Sequence, residues 1–130
     1  MELVSNKKQY WEFIRQLRNM DGVKQGFINQ QYITADQHQD FMKKYSDCFF
    51  VCVNNQQPVG YVGVINDDIR VATHPDYQGQ GVGVFMINQI TKKYPLAVAK
   101  IKLQNEASLR LFEKCGFIKK YYILERENVT

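Results

Sequence analysis

The hexapeptide Gln78-Gly79-Gln80-Gly81-Val82-Gly83 constrains this chain more than any other stretch. Before it, Asp68-Ile69-Arg70-Val71-Ala72-Thr73 is rich in β-formers and is closed by His74-Pro75-Asp76, where proline and aspartate stop a strand and open a turn. After it, Val84-Phe85-Met86-Ile87-Asn88-Gln89-Ile90 carries apolar residues at helical spacing, with Lys92 and Lys93 in the last turn. A strand, a glycine-rich turn and a helix N-terminus together make an anion site. The first-turn N–H groups lack intrahelical partners, the helix dipole favours negative charge, and glycines let a diphosphate approach the backbone. Two familiar versions are excluded. Gly81-Val82-Gly83-Val84 lacks the Lys-Ser/Thr of a nucleoside-triphosphate loop, and the third glycine of G-x-G-x-x-G is missing.

The chain has 130 residues, which bounds it to one domain with a real core. Its N-terminus lacks the basic-then-apolar pattern of a signal peptide, and no run approaches membrane-spanning length. Cys48, Cys52 and Cys115 are odd in number and form no C-x-x-C pair, so reduced thiols in a cytoplasmic protein are expected rather than a disulfide or metal site. The net charge of +4 suits an anionic small molecule, but no dense basic stripe argues for nucleic acid.

In chain order, Ser5 is placed to cap a helix over residues 7–19, and Thr34-Ala35-Asp36-Gln37 is a capping box that opens a second helix carrying His38, Phe41 and Met42. Residues 48–53, 58–65 and 68–73 read as three strands joined by turns at Asn54–Gln57 and Asn66-Asp67. After the glycine loop and its helix come an alternating strand over 97–103, a helix from Glu106 to Cys115 capped by Asn105 and stopped by Gly116, a last strand over 117–124, and a polar tail over 125–130. The order is ααβββαβαβ, an α/β (α+β) sheet of mixed direction.

The pattern Gln-x-x-Gly-x-Gly resembles the pyrophosphate-binding motif of the GCN5-related N-acetyltransferase (GNAT) superfamily. Some 22 residues further on, Asn105-Glu106-Ala107-Ser108-Leu109-Arg110-Leu111-Phe112-Glu113-Lys114-Cys115-Gly116-Phe117 resembles its N-x-x-[AS]-x-x-[LF]-[YF]-x-x-x-G-F signature. The resemblance covers roughly residues 48–124 and implies the acyl-CoA N-acyltransferase fold with helices on both faces of the sheet. It divides the domain 1–130 into acceptor-side helices (1–47) and a sheet and cofactor core (48–124). Acetyl-coenzyme A is implied as co-substrate, with Val71, Ala72 and Thr73 along its pantetheine arm and Gln78, Gly79, Gln80, Gly81, Val82, Gly83 and Val84 at its pyrophosphate. Asn105 and Ser108 would face the pantetheine or adenine side, although Asn105 serves equally well as a plain helix cap.

Phe112 stands where many members of the superfamily have a tyrosine that protonates the departing thiolate, and phenylalanine has no proton to give. Tyr121, Tyr122 or water are the other sources. The strand where some members carry a glutamate base has Lys100 and Lys102, so Asp68, His38 and His74 are the candidate bases by position. Leu17-Arg18-Asn19 and Ile33-x-x-x-x-His38-x-x-Phe41 resemble the N-terminal part of amino-sugar-nucleotide acetyltransferases of the pseudaminic acid type, whose charged acceptor would suit Arg15 and Arg18. The expected function is acetyl transfer to a primary amine of a small molecule by direct attack in a ternary complex. A protein or peptide acceptor and a non-catalytic coenzyme A-binding module are the alternatives, and monomer and homodimer are both open.

Overall fold

The computed structural model describes residues Met1–Glu127. Among them, strands β1 (Glu2–Ser5), β2 (Phe49–Asn54), β3 (Gln57–Ile65) and β4 (Asp68–Thr73) form an antiparallel sheet in the order β1-β2-β3-β4. Helices α1 (Lys8–Asn19) and α2 (Ala35–Tyr45) lie between β1 and β2; α3 (Val82–Lys93) and α4 (Glu106–Lys114) follow β4. The β2–β3 and β3–β4 hairpins turn on two residues each, with positive φ at Asn55 and Gln56 and at Asn66 and Asp67. That is the turn whose twist matches the flanking strands, and asparagine and aspartate tolerate it well.

Alternation along the strands sorts side chains to two cores. Phe49, Val51, Tyr61, Ile65 and Ala72 face α1 and α2, meeting Ile14, Leu17 and Met42. Cys52, Val59, Val62, Val64 and Ile69 face the other side, meeting Val82, Met86, Ile87 and Ile90 of α3 and Phe112 of α4. Covering both faces explains why β2 and β3 read as almost continuous apolar runs. Helix α3 docks closely because β3 has a notch at Gly60, where a Cβ would lie 2.8 Å from the Met86 methyl and 2.7 Å from the Ala72 carbonyl oxygen. On the opposite face, the Ser46 hydroxyl accepts from Asn6 Nδ2 (3.1 Å) and Trp11 Nε1 (3.2 Å), tying the start of α1 to the end of α2.

The expected order ααβββαβαβ needs three corrections. A strand precedes the helices: Glu2–Ser5 pairs with Val53–Phe50, so Ser5 belongs to β1 and the N-cap of α1 is Lys7, with no side-chain cap. Residues 97–103 contribute a single parallel bridge, Asp68 to Val98, rather than a ladder. Residues 117–124 form no strand, and Ile118, Tyr121, Tyr122, Ile123 and Leu124 are exposed. β-formers make a strand only where an edge offers partners, and among the described residues β4 makes backbone hydrogen bonds to the following chain at Val98 alone. The Thr34 capping box is present in both directions, and Asn105 caps α4. The polar tail expected over 125–130 lies partly outside the described residues.

Candidate active site

The site is built on the outer edge of β4. Ile69 N–H donates to the Val98 carbonyl (2.9 Å) and Val98 N–H to that of Asp67 (2.7 Å), after which the two parallel segments make no further bond. From there β4 runs on to the glycine loop and the other segment to Asn105, leaving the far part of the β4 edge without a strand partner. Ladder alternation makes Ile69, Val71 and Thr73 the outward-facing residues, while Arg70 and Ala72 pair inward across from Gly63 and Tyr61. The polar backbone groups of Val71 and Thr73 therefore line the gap, and those of Ala72 are spent on β3.

At the open end the loop rises into α3. The Gln78 side chain donates to the Thr73 carbonyl (3.4 Å) and that of Gln80 to the Asp76 carbonyl (3.3 Å), bracing the turn from both sides. Gly79 and Gly81 have φ of 77° and 83°, and a Cβ at either would meet nothing within 4 Å. Glycine is needed there for the left-handed backbone, and the space beside it is open. Gly83 differs: its Cβ would lie 2.9 Å from Leu111 Cδ2, so its smallness seats α3 against α4. The Val82 side chain is buried in the core and fixes the first turn. Among the described residues, the backbone N–H groups of Gln80, Gly81, Val82, Gly83 and Val84 have no protein acceptor. Five free donors at the positive end of a twelve-residue helix are an anion cradle.

The second motif is occupied by structural duties. Asn105 Oδ1 accepts from the Ser108 N–H (3.1 Å) while its Nδ2 donates to the Gly26 carbonyl (3.1 Å), joining α4 to the α1–α2 connection. Phe112 is buried edge-on to Phe117, with ring centroids 5.1 Å apart. Tyr121 and Tyr122 are 84% and 93% exposed.

The candidate bases are scattered rather than gathered. Asp68 stands at the closed apex of the gap, 4.0 Å from Arg70 Nε. His74 stands at the mouth, its Nδ1 accepting the Asp76 N–H (3.1 Å), which leaves the neutral ring protonated on Nε2. It lines a shallow cleft of about 290 Å³ with Phe13, Leu17, Met20 and Tyr77. His38, on α2, is buried with its Nε2 unpartnered; burial lowers its pKa, against the pull of the Trp11 backbone and the charge of Glu12. Among the described residues no group of three or more His, Cys, Asp or Glu side chains could hold a metal, and no helix is long and apolar enough to cross a membrane.

The sequence model of the acetyltransferase (GNAT) domain matches residues 45–119, from the end of α2 through α4. The chain belongs to the GNAT acetyltransferase family. A relative, an uncharacterized N-acetyltransferase of Methanocaldococcus jannaschii, is 28% identical over an alignment of 96 positions that covers 61% of this chain and 42% of that protein's length. Among solved structures, this GNAT fold is similar to spermidine N-acetyltransferase from Vibrio cholerae in complex with CoA and spermine, with a TM-score of 0.81 and 20% identity over 96% of this chain and 85% of that one. Ribosomal-protein-alanine N-acetyltransferase from Brucella melitensis gives 0.77 at 15% identity, over 89% and 83% of the two chains. AAC(6')-Iy, in complex with a CoA-S-monomethyl-acetylneamine bisubstrate analogue, gives 0.70 at 14%, covering 98% of both.

Two polar residues of this GNAT domain carry no motif that would single them out. Tyr61, 3% exposed on β3, has its hydroxyl pKa pushed up by burial and pulled back by the charges of Arg18 and Arg70. Arg70 falls mid-strand, where sequence alone gives it no partner. The alternation that sends Ala72 towards α1 and α2 sends Arg70 to the same side, and that is the signal that brings it to Arg18.

Proposed function

We propose that this GNAT domain is an acetyl-CoA-dependent N-acetyltransferase acting on the primary amine of a small molecule. The observation that carries the reading is the set of five unpartnered N–H donors from Gln80 to Val84, next to the free edge of β4. The donors and the open space beside Gly79 and Gly81 suit a pyrophosphate. The outward amides and carbonyls of Val71 and Thr73 suit the two amides of a pantetheine arm. Residues 48–124 together with β1 then act as sheet and cofactor core, and the helices within residues 6–47 as the acceptor wall, in a cytoplasmic setting consistent with three free cysteines.

In this reading the neutral amine attacks the thioester carbonyl in a ternary complex. The N–C bond forms, the C–S bond breaks, and sulfur leaves with the electron pair; the amine gives up a proton and the thiolate takes one. A thiol pKa of about 8.5 makes sulfur a tolerable leaving group, so water can supply that proton where Phe112 cannot. His74 at the mouth and Asp68 at the apex are the bases we propose to test, directly or through water. Cys115 is a poor acyl carrier, because burial raises its pKa and, among the described residues, its thiol meets the Val84 carbonyl and no base. The acceptors named for the fold neighbours, spermidine, ribosomal-protein alanine and neamine, are diverse, and a nucleotide-linked amino sugar is our finer suggestion.

Thiol release from acetyl-CoA against a panel of amines, with calorimetry of acetyl-CoA binding, tests this. Gly81→Glu puts bulk and negative charge into the cradle and is expected to abolish binding; unchanged affinity in that variant sinks the assignment. The buried Phe112 favours one second reading, a coenzyme A-binding module, which would show as tight binding without turnover on any amine.

A further inference from the structure

Helix α1 directs Arg18 inward. Its guanidinium stacks on the Phe27 ring, 4.1 Å from the centroid, and its Nη2 donates to the Asn29 carbonyl. Its Nη1 is buried and has no hydrogen-bond partner among the described residues. A charged donor left unsatisfied away from water is costly, and a native structure that keeps one calls for an acceptor. Arg70 of β4 projects to the same side of the sheet, and the charges of both guanidiniums reach the Tyr61 hydroxyl. A single carboxylate stands against this pair of cations. Among the described residues Arg18 has none within ion-pair distance, and Arg70 has Asp68, 4.0 Å from its Nε. The neighbouring Arg15 makes the contrast: Glu12 takes its Nε at 3.0 and 3.1 Å, and Tyr32 and the Ile33 carbonyl take its Nη1.

The position matters as much as the charge. Arg70 immediately precedes Val71, whose backbone lines the gap, and it projects to the α1–α2 side, where the acceptor wall stands. The guanidinium fork matches the paired oxygens of a carboxylate or a phosphate. We propose that Arg18 and Arg70, beside Tyr61, form an anion subsite that holds a carboxylate or phosphate group of the acceptor, so that the acceptor is an anionic or zwitterionic amine and not a polyamine. This rests on the N-acetyltransferase reading for its meaning, though not for its test.

The kinetic arm compares kcat/KM for O-phosphoethanolamine, β-alanine, ethanolamine and spermidine. Charge-assisted hydrogen bonds to one anionic group predict a preference of about 10- to 100-fold for an anionic amine over ethanolamine. Phosphoethanolamine and β-alanine then separate phosphate from carboxylate. Arg70→Gln, at a half-exposed position where folding is least at risk, and Arg18→Gln should each collapse that ratio towards one. The binding arm titrates inorganic phosphate and acetate into the protein, following the Arg18 side-chain N–H resonances by NMR, with Arg70→Gln as control. Shifts that saturate in the parent protein and weaken at least tenfold in Arg70→Gln support the subsite. Turnover that favours spermidine or ethanolamine, or a ratio kept in Arg70→Gln, overturns it while leaving the acetyltransferase reading intact. Absence of acetyl-CoA binding would overturn that reading instead, and the phosphate and acetate titrations would still decide this one, unmoved Arg18 resonances counting against it.

Discussion

Replacing Gly83 by alanine separates two reasons for a glycine at the head of α3, ligand approach and helix packing. The added Cβ would sit 2.9 Å from Leu111 Cδ2 and 3.2 Å from Cδ1, closer than ordinary contact by a few tenths of an ångström. Overpacking of this kind costs about 1–3 kcal/mol, offset by about 1 kcal/mol because alanine is the better helix former. The net expectation is a loss of roughly 0–2 kcal/mol, too small a window to decide by one variant. A double-mutant cycle with Leu111→Val decides it. Valine lacks both offending Cδ atoms, costs about 1 kcal/mol on its own by large-to-small truncation, and removes the clash, so the pair should be more stable than the sum of the singles by about 1–2 kcal/mol. Urea unfolding followed by Trp11, the single tryptophan, gives the stabilities, and calorimetry gives acetyl-CoA affinity in the same four proteins. Strict additivity, together with loss of acetyl-CoA binding in Gly83→Ala, would refute the packing argument and make ligand approach the reason for the missing side chain.

Asn105→Ala removes the α4 cap and the tie to Gly26, and should cost about 1–2 kcal/mol in urea unfolding; lost acetyl-CoA affinity at unchanged stability would make Asn105 a ligand contact instead. His38 is buried with its pKa below the ordinary 6.5, so its contribution to stability is complete above that value and declines as pH falls through it towards the folded pKa. The slope is at most about 1.4 kcal/mol per pH unit. His38→Phe should flatten the pH dependence of unfolding between 6.5 and the acid limb, and an unchanged profile would place the titrating group elsewhere.

The parts legible in the sequence were those written in local chemistry. The Thr34 box, the Asn105 cap, the bounds of β4 and the strand–turn–helix around Gly81 each depend on residues within one or two turns of each other. Strand β1 was hidden because Glu2–Ser5 is too short to show a period and its partner lies beyond two helices. The alternation over 97–103 and the β-formers over 117–124 raised the opposite error, since composition records a capacity to pair and says nothing of whether an edge is available. At the site, the loop could be read, but the packing of Gly83 against Leu111 and the tie from Asn105 to Gly26 could not, since neither partner lies near in the chain. The Arg18–Tyr61–Arg70 cluster joins three elements and has no linear signature at all.

Strand β1 also bears on how the molecule comes together. The two hairpins close over two-residue turns and can form within microseconds, whereas β1 reaches β2 only by closing residues 6–48 into a loop, at an entropic cost of roughly 3 kcal/mol. That cost is met by a four-residue strand and the Asn6–Ser46–Trp11 knot beside it. The length of that loop predicts that β1 pairs after the two hairpins have closed, as a clasp on the sheet. It also predicts different thresholds for opening in the two halves of the domain, with the helical half bearing Arg18 lifting from the sheet before β3, β4 and α3 release the glycine loop; amide hydrogen exchange would show it as earlier exchange in β1, α1 and α2.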